Sequence, residues 1–285
     1  MPRPSVRPRP RRAPVAAGRG AGAFATLVLA ARAAAAQPVG SRHDSARAVQ
    51  PERPTVATHA GTVARGYAEL ETGVERGRLA GGAHEVTVPT MVKLGLARRV
   101  QLNVYVPESG QTGAAFGVGD VMAGVKWRVA EHHPLFGDVA VMPWLKLPTG
   151  GGERGTHTTD AMLLLISSYS VGGAAVDVNL GATRRSGDGT GAPRTATLWT
   201  ASAGVPVAGP FAWAVECYGY PGTAGPAGER PVVALLTGPV LTVARTVALD
   251  LGVIAPVAGP QPRAVYAGLT TNFGRVPGVG RARPR

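Results

Sequence analysis

Six histidines, one cysteine and a scatter of serines are the residues from which this chain would build a nucleophile or a metal site, and their spacing supplies neither. Nucleophilic hydrolysis needs a serine hydroxyl with an imidazole placed to take its proton. His43, His59, His84, His132, His133 and His157 all fall in polar or turn-like stretches, and the nearest pairing, His157 with Ser167 or Ser168, matches no recognised motif. His132-His133 are adjacent imidazoles without a carboxylate or thiol at ligand spacing. Gly150-Gly151-Gly152-Glu153-Arg154-Gly155-Thr156 has the outline of a phosphate loop but no lysine before the threonine and no helix after it, and reads as a flexible external loop. Cys217 alone excludes an intrachain disulfide. No catalytic residue, cofactor or metal is therefore expected. What remains is a set of charged residues placed singly in apolar runs: Glu69, Glu71, Lys93, Asp120, Lys126, Arg128, Asp138, Lys146, Asp177, Glu216 and Asp250. With Trp144 beside Lys146, these are the candidate lining of a polar interior. They would either line a narrow pore or ligand site, or pair with one another to fill a small barrel. Trp144 would be a stacking platform for an aromatic ligand or a packing residue.

The spacing that organises these residues is two. In Gly117–Gly152, Asp120, Met122, Gly124, Lys126 and Arg128 alternate with Val121, Ala123, Val125, Trp127 and Val129. After a short polar turn, Asp138, Ala140, Met142, Trp144 and Lys146 alternate with Val139, Val141, Pro143, Leu145 and Leu147. A period of two sets one group on each face of a sheet. One face is apolar throughout, and the other carries charges of both signs. A soluble sandwich would bury the first, whereas a membrane barrel would turn it to lipid and the second to its lumen.

Composition favours the barrel. Glycine (40) and proline (25) suit many turns, and charged residues are only 16 %, below the usual quarter or so of soluble domains. Residues 1–36 hold seven arginines and no acid, and Arg275, Arg281, Arg283 and Arg285 lie in the Pro/Gly-rich tail, so the two ends carry eleven of the net charge of +13. The body is thus near neutral and lacks a basic patch with interleaved aromatics, which argues against nucleic acid as a partner. The same 36 residues read as an export signal, with a basic stretch, the apolar run Ala21–Ala31 and Ala34-Ala35-Ala36 before Gln37. An exported chain without a spanning helix enters a membrane only as a closed barrel.

Gln37–Arg65 is polar and without periodicity, a disordered periplasmic lead-in on this reading. From residue 66 to 274 about twelve alternating segments follow, most near the 9–11 residues that cross a bilayer at a tilt. Ala161–Ser170, Thr195–Val205 and Pro231–Val243 are weakly patterned, and Pro239 suggests a bulge or an early end in the last of them. The connections alternate long and short, as in barrels with external loops and tight periplasmic turns. Trp127 and Trp213 fall on the apolar face near strand ends, where interfacial girdles form. Residues 275–285 form a basic, disordered tail on this reading.

Gly119-Asp120, Gly124-Val125-Lys126-Trp127-Arg128, Ala140 and Leu145-Lys146-Leu147-Pro148-Thr149-Gly150 together resemble the phenol meta-pathway degradation (transporter-like) family of outer-membrane proteins. Asn179-Leu180-Gly181, Glu216-Cys217-Tyr218-Gly219, Thr237-Gly238-Pro239, Leu249-Asp250-Leu251-Gly252-Val253 and Ala267-Gly268-Leu269-Thr270 with Phe273 extend the resemblance over about residues 66–274. It implies an all-β, antiparallel transmembrane barrel in the outer membrane that passes small, often aromatic or hydrophobic, molecules. Its partners would be outer-membrane lipids, the barrel assembly machinery and a small-molecule solute. A non-conducting surface barrel and a barrel-wall hydrolase are the alternatives. Phe273 holds the terminal aromatic position of the last strand, although residues 274–285 follow it.

Overall fold

The computed structural model describes residues 47–111, 115–151, 154–186, 194–221 and 231–277. The expected export signal, the first part of the lead-in and residues 278–285 of the tail lie outside them. Alternation gives β1 (Tyr67–Arg78), β2 (His84–Ala97), β3 (Val100–Gln111), β4 (Gly117–Val118), β5 (Met122–His133), β6 (Gly137–Lys146) and β7 (Asp160–Val171). β8 (Ala174–Arg185), β9 (Thr195–Ala208), β10 (Phe211–Tyr220), β11 (Val232–Ala244), β12 (Val247–Ala258) and β13 (Arg263–Arg275) follow. The two-residue β4 sits on the end of β3, and the other twelve strands form the wall. Each pairs antiparallel with its sequence neighbours, and β1 pairs with β13, so the sheet closes on itself and leaves no unpaired wall edge.

The weakly patterned segments form β7, β9 and β11. Pro239 does not end β11. Pairing with β12 lapses between Thr237↔Val253 and Val240↔Asp250 and then resumes in the same register, as a residue without an N–H requires. The β7–β8 turn falls on Gly172-Gly173, one residue later than the spacing suggests. Both have positive φ, 58° and 85°, which a tight two-residue hairpin demands and glycine allows.

The faces separate as the membrane reading requires. Trp127, Leu180, Leu251 and Phe273 point outward and are more than half exposed, while Glu69, Lys93, Lys126 and Glu216 point inward with no exposed surface. A band of exposed large apolar side chains around a charged interior is stable only where lipid covers the band. One end of the barrel carries the connections 79–83, 112–121, 147–159, 186–194, 221–231 and 259–262, the other only 98–99, 134–136, 172–173, 209–210 and 245–246. The former is the external end, although 259–262 is shorter than the alternation led one to expect.

The lead-in departs from expectation. Residues 47–66 do not trail below the barrel as flexible chain; they rise into the lumen, turn near Arg53 and descend to β1. Val49 N–H donates to Arg245 O at the periplasmic mouth (2.9 Å), and Gly66 N–H to Gly95 O at the returning foot (2.7 Å). Ala57, Ala60 and Val63 are at most 2 % exposed. The segment shows no periodicity because its backbone is satisfied one group at a time by side chains of the wall, not by a strand ladder.

Candidate functional site

The lumen has two storeys. The periplasmic storey is the inner segment and the polar residues that hold it. Glu69 and Glu71 follow each other inward on β1, and Lys93 on β2 lies against both (2.5 and 2.6 Å) while donating to Gln50 O (2.5 Å). The two carboxylates also reach the segment: Gln50 N–H donates to Glu69 (2.8 Å) and Glu52 N–H to Glu71 (2.7 Å). Lys126 on β5 binds the Glu52 carboxylate, and donates to Thr58 Oγ1 (2.9 Å) and His59 O (3.0 Å). Glu216 on β10 accepts Val56 N–H (2.7 Å), Ala57 N–H (2.6 Å) and the Thr200 hydroxyl (2.5 Å). Asp250 on β12 meets Arg53 at 3.3 Å.

Uncharged residues complete the clamp. Asn179 accepts Thr58 N–H and returns a bond to Thr58 O, Ser168 accepts Ala60 N–H, and Gln101 accepts Val63 N–H. Burial, reinforced by the Lys126 charge, pushes the His59 imidazole down to about 3, so it is neutral near pH 7. Burial would raise the Glu52 carboxyl, but the Lys126 and Lys93 cations prevail and hold it well below the ordinary carboxylate range.

The external storey is apolar on one arc and aromatic on the opposite one. Met142, Trp144, Leu164 and Ile166 form a buried cluster with Ala60 of the inner segment, and Met91, Tyr105, Met122, Met162 and Leu198 pack against it. Cross-strand pairs join them in rows, Met91↔Tyr105↔Met122 across β2, β3 and β5, and Trp144↔Met162 across β6 and β7. Every methionine after the first residue therefore lies in this arc. Trp144 covers Gly124, where a Cβ would stand 2.5 Å from the indole. Across the lumen, Tyr218, Leu236, Ile254 and Tyr266 form a second buried cluster with Tyr220 beside it. The Tyr266 hydroxyl is buried and has no hydrogen-bond partner among the described residues.

All twelve candidate residues lie on the inward side, but they do not form one ring. Glu69, Glu71, Lys93, Lys126, Glu216 and Asp250 join the clamp just described. Asp177 accepts the Ser168 hydroxyl (2.5 Å) and so supports it from behind. Asp120 and Lys146 sit at the external end (3.1 Å apart), with Asp160 as a second anion 3.0 Å from the lysine. Asp120 also accepts Gly150 N–H (3.0 Å) and Thr156 N–H (2.8 Å), so the loop expected to be flexible is pinned at those points. Arg128 pairs with Glu131 at the periplasmic rim, and Asp138 accepts His132 N–H there. Trp144 belongs to the apolar arc. Sequence reasoning missed Glu52, Arg53, Gln101 and Asn179. The signal available was a polar or glycine residue at an inward position of an otherwise apolar strand, of which Gln101, Asn179 and Gly95 are examples.

The serine–histidine pairing that the hydrolase alternative would need does not form, because Ser167 and Ser168 lie near the periplasmic end of β7 and His157 beyond its external end. His133 Nδ1 is turned to its own turn, accepting from Leu135 and Phe136 N–H.

A closed antiparallel barrel with a lipid-facing apolar band and a polar interior defines the chain as an outer-membrane β-barrel. It matches, over residues 53–260, the family described as "Putative MetA-pathway of phenol degradation", and it belongs to that family. The match begins within the inner segment. Among solved structures, the COG4313 outer membrane channel from Pseudomonas putida F1 is similar at TM-score 0.57 and 13% identity, covering 75% of this chain and 98% of that one. The translocator domain of autotransporter NalP from Neisseria meningitidis is more distant, at TM-score 0.43 and 9% identity over 73% of this chain and 87% of that one. Comparison with curated proteins gives no match.

Proposed function

We propose that the protein is an outer-membrane channel for small apolar or aromatic molecules, with residues 47–66 closing its periplasmic half until they move. The observation that carries this reading is the external storey. Methionine side chains are flexible and polarisable and adapt to varied apolar shapes, and here four of them face an arc of tyrosines that offers hydroxyls to a solute with one polar group. A pore for sugars or ions would be expected to line this storey with charges; six of the eleven charged candidates are committed to the inner segment instead. Asp120 and Lys146 pair with each other at the external end, and Glu75, cross-strand from Tyr266, is an acid that stands among the tyrosines. The family and the similar channel from Pseudomonas putida support the reading.

A non-conducting structural barrel is favoured by one observation, the number of buried polar groups that hold the inner segment in place. Proteoliposome flux separates the two. The channel reading expects a small aromatic alcohol to pass faster than a sugar of similar mass. Met122→Asp with Met162→Asp should slow the alcohol about tenfold or more, since burying one large apolar side chain is worth about 1.5–3 kcal/mol and the solute would no longer meet such a surface. Equal flux of both solutes, or none above empty vesicles, would remove it.

A further inference from the structure

The lipid-facing surface carries one cluster that neither the lumen nor the apolar band accounts for. At the external ends of β2, β1, β13 and β12, outward residues run His84–Arg78–Arg263 in one row and Val86–Arg76–Val265–Val253 in the next. They surround a shallow hollow of about 460 Å³ whose floor is Val253 and Val265. Arg78 and Arg263 are directly cross-strand, and like charges in that position repel unless an anion stands between them. Neither they nor Arg76 makes a salt bridge among the described residues.

Height fixes what meets them. A strand gains about 3.4 Å per residue and tilts by about 35–45°, or about 2.6 Å per residue along the membrane normal. Arg263 then stands about 26 Å above Phe273, the exposed aromatic near the periplasmic end of β13, and Arg76 about 5 Å lower, against an apolar band about 25 Å tall. The guanidinium groups are thus level with the headgroups of the outer leaflet, while Val253, Val265 and Leu251 below them face its acyl chains. Arginine is the side chain best matched to a phosphate in two-point geometry.

We propose that Arg76, Arg78 and Arg263, with His84 at their edge, form a seat for the phosphate of an acylated, phosphorylated glycolipid of the outer leaflet, whose chains lie on the valine floor. The test is native mass spectrometry of the delipidated, folded barrel titrated with bis-phosphorylated lipid A. One lipid should be retained. Arg78→Gln with Arg263→Gln should weaken retention about tenfold or more, the loss expected when charge-assisted bonds to one phosphate go, while Arg184→Gln on β8 should not. Arg76→Gln gives the same readout if the double variant does not migrate as a folded barrel. Equal retention by the variants, equal binding of dephosphorylated lipid A, or displacement by millimolar inorganic phosphate would each overturn the proposal.

Discussion

Lys126 is a buried cation whose carboxylate partner, Glu52, belongs to the inner segment and not to the wall. Removing one member of a buried pair costs about 3–5 kcal/mol because the other is left charged and unpaired. Lys126→Met should therefore loosen the segment, raising single-channel conductance and the rate at which a cysteine placed at Thr55 is labelled from solution. Asp138→Asn at the rim should change neither, and the double variant should behave as Lys126→Met alone. An undisturbed labelling rate in Lys126→Met would show that this pair does not hold the segment. His59 adds a pH dependence. Its docked pKa lies below the ordinary histidine value of 6.5. The stability it lends is thus whole above about 6.5 and falls as pH drops toward 3, where release lets it take a proton. The groups facing it are Lys126, Lys93 and Glu52, and Glu52, also depressed, weakens docking in the same direction at lower pH. From pH 7 to 5 the loss is on the order of 1–2 kcal/mol. Hydrogen exchange of residues 47–66 should quicken over that range, and His59→Gln should flatten the change.

At the scale of elements, β2 meets the inner segment through the absence of a side chain. A Cβ at Gly95 would stand 2.1 Å from Ala64 O and 2.5 Å from Val63 O, both backbone atoms that cannot rotate away. Gly95→Val should displace the returning foot while leaving β2 paired with β1 and β3. Limited proteolysis near Arg65 would then be faster at unchanged heat-modifiable mobility, and a protected Arg65 would count against the placement. The wall itself was legible in the sequence because lipid and lumen impose opposite polarity on alternate residues, as Val121–Val129 and Val139–Leu147 show. β7, β9 and β11 were harder to read because their inward positions include Leu164, Ile166, Ala196 and Leu236, which pack instead of meeting water. The inner segment was not legible at all. Its order depends on Glu216, Asn179 and Gln101, each distant in sequence, and no local pattern in Gln50–Val63 announces them.

At the scale of the molecule, the ladder from β1 round to β13 is complete without residues 47–66. Deleting 47–63 should leave a barrel that still shifts on boiling, with a larger conductance. Lys93 would keep Glu69 and Glu71, and Lys126 and Glu216 would be rehydrated by the opened lumen. A deletion variant that no longer shifts would make the segment part of the fold and not a guest in it.

Both feet of the segment, Val49 beside the β11–β12 turn and Gly66 beside Gly95, stand at the same mouth of the barrel. The path between them is a bight and not a thread: it passes into the ring and comes back without ever crossing to the far side. It can be laid in after the β1–β13 seam has closed, and drawn out again, with no strand parted and no end pulled through. The wall and its occupant are topologically independent, and the same chain can exchange an obstructed ring for an open one without undoing its own closure.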